Sequence, residues 1–86
     1  MNKFEFNNII LNRDKYIGRQ LFVVYSFFWS RFGEIIYITD KCIFYKYDIN
    51  PKNNSYCFGR ITLRNCDIAD LVPKEHEVNL NIVEWK

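Results

Sequence analysis

The chain has 86 residues, a net charge of +2, and 49% apolar and 19% aromatic side chains, enough apolar surface for a packed globule and too much for a disordered chain. The small charge excludes the strongly basic balance that draws a protein to nucleic acid or membrane by electrostatics alone. No apolar run reaches the ~18 residues of a bilayer span, and the start Met1-Asn2-Lys3-Phe4-Glu5-Phe6 lacks the apolar core and cleavage site of a secretory leader. A single domain over residues 1–86 and a cytoplasmic location are the expectations. Asn, Ile, Lys, Tyr and Phe are abundant and have A/T-rich codons, a bias that suits a phage or mobile-element gene.

In residues 1–18, Phe4 and Phe6 alternate with Lys3 and Glu5 as in an edge strand, and Asn12-Arg13-Asp14-Lys15 supplies a turn. Ile9-Ile10-Leu11 fits a strand or one helical turn; a strand is the expectation. Gly18 reads as a bulge opening the next element. Arg19 to Trp29 is the most apolar run, a strand covered on both faces or one that extends past the sheet. Ser26 to Gly33 reads as a long connection in which Phe27, Phe28, Trp29 and Phe32 crowd around Arg31. Either those rings close one end of a barrel core, or they form an exposed surface with the composition of a binding hot spot.

Glu34 to Asp48 is the centre of the pattern. Two runs of β-branched and aromatic residues flank Asp40-Lys41, the signature of a hairpin. A two-residue loop there would set Ile38 opposite Ile43, Tyr37 opposite Phe44 and Ile36 opposite Tyr45. Ile36, Ile38, Ile43 and Tyr45 would then share one side. A loop follows at Ile49 to Asn54, around Pro51. Ser55 to Leu63 returns as a strand, with Tyr56, Phe58, Arg60 and Thr62 on one face and Gly59 leaving room for a close neighbour. Asp67 to Leu71 predicts a short helical turn capped by Asn65 or Asp67 and stopped before Pro73. Glu77 to Trp85 alternates as a closing strand. Five to six strands and one short helical turn predict a mainly β fold, a small strongly curved antiparallel sheet or an SH3-like barrel.

Ile38-Thr39-Asp40-Lys41-Cys42-Ile43-Phe44-Tyr45, followed by Ile61-Thr62-Leu63 and Asp67-Ile68, resembles the hairpin-and-strand segment of PH- and GRAM-like domains. The resemblance covers under half of the chain.

Chemistry-bearing patterns are few. Cys42, Cys57 and Cys66 are an odd set without a Cys-x-x-Cys knuckle, so free thiols are expected rather than a disulfide framework or a zinc site with His76. Cys42 and Cys57, on neighbouring strands, are the pair that oxidation could join. His76 lacks the second histidine of a metalloprotease motif, since Leu80 stands there. The three glycines are isolated, so no phosphate loop is present. Neither an enzyme nor a bound metal or cofactor is expected.

Two functional classes remain. In the first, a non-catalytic protein binds and blocks another protein (a toxin, nuclease or host factor), as inhibitors, antitoxins, immunity proteins and phage anti-defence proteins do. Its anchors would be Phe28, Trp29, Arg31, Phe32, Tyr45 and Tyr47. In the alternative, a small barrel binds single-stranded RNA or DNA. Arg13, Lys15, Arg19, Lys46, Arg60 and Arg64 would then meet phosphates, and Tyr37, Tyr56 and Phe58 would stack on bases. A monomer or a homodimer formed through an exposed strand edge fits both.

Overall fold

The computed structural model describes residues 1–80. Strands β1 (Gln20–Ser26), β2 (Trp29–Ile38), β3 (Cys42–Asn50), β4 (Ser55–Thr62) and β5 (Ala69–Leu71) form one antiparallel sheet in the order β4-β3-β2-β1-β5. The mainly β expectation holds, in its open form. The six residues 63–68 carry the chain from β4 at one edge to β5 at the other, edges that a flat sheet would hold about 19 Å apart. Part of that connection is a 3₁₀ turn, Cys66–Ile68; of the helical turn expected over Asp67 to Leu71 only the start is helical, and Ala69–Leu71 is strand β5 instead. So short a link suits a curled sheet.

The N-terminal segment corrects the strand expectation. Lys3–Leu11 is a helix, α1, followed by the single turn α2 at Arg13–Tyr16. Asn2 caps α1, its Oδ1 accepting from the Glu5 N–H at 2.7 Å. Phe6, Ile9 and Ile10 are buried, three and four residues apart on one helical face, while Phe4 and Leu11 point to solvent. The Phe4–Phe6 alternation suggested a strand because it is short. Burial of the 6-9-10 stripe decides the matter.

That stripe packs on the concave face of the sheet, against Leu21, Val23, Ile35, Ile38, Ile43, Tyr45, Ile61, Cys66 and Ala69. The expected hairpin is present, with Ile38 opposite Ile43 and Tyr37 opposite Phe44. Its register then slips by one residue, so that Ile35 and not Ile36 faces Tyr45. Ile36 is the bulged residue, and Ile35 takes the core position. At the turn, Thr39 Oγ1 accepts from the N–H groups of Lys41 and Cys42 at 3.1 and 2.9 Å.

Tyr45 is 1% exposed and lies flat in a slot made by two glycines. A Cβ on Gly33 would come within 2.6 Å of its Cδ2. One on Gly59, directly opposite, would lie 2.6 Å from its Cε1 and closer still to Cζ and the hydroxyl. The missing side chain on β2 also lets Tyr25 of β1 reach over to Tyr45 of β3, and the two hydroxyls hydrogen-bond.

The long connection expected at Ser26 to Gly33 is instead a tight hairpin. Ser26 pairs with Trp29, only Phe27 and Phe28 turn the chain, and the register slips between Val24 and Ser26. Beyond β5, the Gln20 side chain accepts from the Val78 N–H at 3.0 Å and donates to its carbonyl, tying the tail to β1. The expected closing strand Glu77 to Trp85 is not formed over residues 77–80, and the rest of it lies outside the described residues. Cys42 and Cys57 do sit on neighbouring strands, but opposite Thr62 and Tyr47 respectively. That offset of about five residues, some 17 Å along the strands, precludes a disulfide between them.

Candidate functional site

The β1–β2 hairpin projects two phenylalanines from the sheet. Phe27 is 98% and Phe28 95% exposed, and their rings meet edge to face at 5.8 Å. Two-residue hairpin turns favour Gly, Asn and Asp, whose positive φ matches the strand twist. Phe27 and Phe28 both keep negative φ, and the irregularity at Tyr25 takes up the mismatch. The Ser26 hydroxyl accepts from the Phe28 N–H at 3.4 Å. Local rules of turn chemistry and burial are both broken here, as happens where function overrides folding.

Below the tip, the concave face ends in an aromatic cluster. Tyr25 packs on Trp29 at 4.3 Å, Tyr47 meets Trp29 edge-on at 5.8 Å, and the Arg31 guanidinium lies 4.9 Å from the Trp29 ring centre. Arg31 Nε donates to Asp48 Oδ1 at 3.0 Å. Asp48 sits where the β3–β4 register slips and adopts a φ of +52°, so the ion pair fixes an unfavourable backbone conformation as well as a charge. Trp29, Arg31 and Tyr47 are half-buried.

Burial, and secondarily the neighbouring Tyr47, pushes the Tyr45 phenol up from the usual 10.0 to about 12. Tyr47 is also raised, first by burial and then by Cys57 and Asp48, with Arg31 acting in the opposite sense. An unfolded chain ionises its tyrosines near 10, before Tyr45 does in the fold. The stability that Tyr45 contributes is therefore complete below about pH 10 and lost as pH rises toward about 12. Thermal melts should show a steep fall in Tm over that window, and Tyr45→Phe should make it shallower.

The expected protein-binding residues are thus divided. Phe28 stands at the tip. Trp29, Arg31 and Tyr47 form the concave flank, and Phe32 lies on the opposite, convex face beside Phe22 at 4.9 Å. Tyr45 is a correction: it is buried in its glycine slot and presents no surface. Phe27 and Asp48 were missed. The crowding of rings around Arg31 was legible, but the two-residue turn that exposes Phe27 and Phe28 was not, because its residues are not turn formers.

The expected nucleic-acid set divides as well. Lys46, Arg60, Tyr37, Tyr56 and Phe58 share the convex face, with Arg64 at its end. Arg13 and Lys15 lie on α2, where Arg13 Nε donates to the Ile10 carbonyl. Arg19 is committed to Glu77 at 3.1 Å and to the Val72 carbonyl. Arg13 and Lys15 are set apart from that face by the turn of helix α2, and Arg19 by the tail residues that hold it.

Comparison with protein-family models, curated proteins and solved structures finds no match. Among the described residues, no helix is long and apolar enough to cross a membrane, and no three metal-ligating side chains cluster.

Proposed function

We propose that the protein is a non-catalytic, cytoplasmic binding protein that blocks another protein, of the toxin, nuclease or host-factor kind, by seating its β1–β2 tip in an apolar cleft of that partner. The observation that carries this reading is the pair Phe27 and Phe28, almost wholly exposed on a two-residue turn. Burying a phenylalanine is worth about 1.5–3 kcal/mol, which a free tip forgoes twice. Two rings present about 300–500 Å², an anchor of the size found at the centre of a standard interface of about 800 Å² per partner. Trp29 and Arg31 on one flank and Phe32 on the other supply residue types enriched at hot spots.

The test compares immobilised wild type with the double variant Phe27→Ser, Phe28→Ser in extract of the cell that makes the protein. A partner held by wild type, released by the variant and inhibited by added wild type is the expected result. Equal retention on both, or sedimentation of the tip with phosphatidylcholine vesicles, would reject the reading.

A further inference from the structure

We propose that the convex face of the sheet, away from the tip cluster, binds single-stranded nucleic acid, with phosphates at Lys41, Arg60 and Arg64 and bases against Tyr37, Phe58 and Tyr56. This inference goes beyond the protein-blocking reading and does not rest on it.

The strand register builds the face in rows. Tyr37, Phe44 and Arg60 lie side by side across β2, β3 and β4. Glu34, Lys46 and Phe58 form the next row, and Tyr56 follows on β4. Successive rows are about 6.8 Å apart, two residues along a strand. Tyr37 and Phe58 are 62% and 63% exposed, rings that core packing leaves available. Tyr37 lies 6.1 Å from Phe44, Tyr56 meets Phe58 at 4.9 Å, and Lys46 Nζ stands 5.5 Å from the Tyr56 ring centre.

Charge supplies the second observation. Glu34 pairs with Lys46 at 3.7 Å, which leaves the middle row neutral. Where the β2–β3 turn and the end of β4 meet Phe6 and Asn7 of α1, at the margin of the face, a cleft of about 500 Å³ is lined by Lys41, Arg60 and Arg64, with Asp40 as its single carboxylate. Among the described residues these three cations make no ion pair with a carboxylate. Arg60 lines this cleft and stands in the same row as Tyr37 and Phe44, and a cationic cleft joined in this way to exposed rings fits a phosphodiester chain whose bases are unpaired, because a duplex keeps its base faces stacked inside. The low net charge of +2 still permits this, since the positive charge is concentrated at one end of the face.

Fluorescence anisotropy with labelled oligo(U), oligo(dT) and a duplex of equal length provides the test. The single strands should bind and the duplex should not; the tighter of the two single strands then identifies RNA or DNA as the preferred ligand. For three phosphate contacts, raising salt from about 50 to about 200 mM should weaken binding about 20-fold. Arg60→Ala with Arg64→Ala should reduce the slope of log affinity against log salt by about 1.4. Phe58→Ala and Tyr37→Ala, at exposed positions, should keep the wild-type Tm and weaken binding at least about fivefold each. The tip variant Phe27→Ser, Phe28→Ser should bind oligonucleotide as wild type does, so that this inference and the protein-blocking reading fail separately. No binding at about 100 µM protein in low salt, equal affinity for duplex, unchanged affinity in Phe58→Ala, or loss of binding in the tip variant would each overturn the proposal.

Discussion

Gly59→Ala should destabilise the fold by about 2–3 kcal/mol, near the upper end of what overpacking costs. For a domain of this size that is a fall in Tm of about 10–20 °C. The sign is the informative part. In an unobstructed strand the same change removes the entropic penalty of glycine and stabilises by about 0.5–1 kcal/mol. Here the new methyl would fall on the Tyr45 ring, which cannot withdraw because the Gly33 backbone closes the other side and the Tyr25 hydroxyl holds its end. A double-mutant cycle isolates the cause. In a Tyr45→Leu background the slot is no longer filled by a ring, and Gly59→Ala should become nearly neutral. Coupled residues of this kind differ from additivity by about 0.5–3 kcal/mol. Additive effects in thermal melts would mean that Gly59 is needed for some other reason.

Replacing Phe27 and Phe28 by serine should weaken partner binding at least about 100-fold while leaving Tm within a few degrees of wild type. Each ring is of a size whose truncation in a hot spot costs about 2 kcal/mol or more, and such losses are not additive. Two together reach about 100-fold at a conservative 2.7 kcal/mol. The stability term is small because neither ring is buried, and exposed substitutions stay within about 0.5 kcal/mol. Trp29→Ala behaves differently. Trp29 supports Tyr25, Tyr47 and Arg31, so its loss should lower Tm and binding together. The tip pair separates the two effects where Trp29 cannot. Competition binding and thermal melts on the same preparations measure both.

The contrast between these sites shows what the residue pattern could and could not convey. The hairpin at Asp40-Lys41 was legible because two apolar runs alternate with the period of a strand. Its register was misjudged by one residue because Ile35 and Ile36 are equally apolar, and only the bulge decides which is core. Gly59 was correctly read as making room for a neighbour, but the identity of the neighbour depended on a contact between strands. Helix α1 was hidden by Phe4 and Phe6, although the capping Asn2 and the Phe6-Ile9-Ile10 spacing were both present. The local pattern supported two structures, and packing on a distant sheet selected one. At the site, the aromatic excess around Arg31 was visible in sequence. Its division between a tip, a concave flank and a buried slot was not, because that division follows from a turn built of residues that do not favour turns.

The claim that the hairpin tip enters a partner is tested most directly by placing photoreactive benzoylphenylalanine at position 28 and, separately, at position 4. Phe4 is 81% exposed on α1, which makes it a control of the same chemistry away from the tip. Irradiation in extract should yield one defined protein adduct from position 28, displaced by excess unlabelled wild type, and none of that adduct from position 4. No displaceable adduct at position 28, or the same adducts from both positions, would contradict the account.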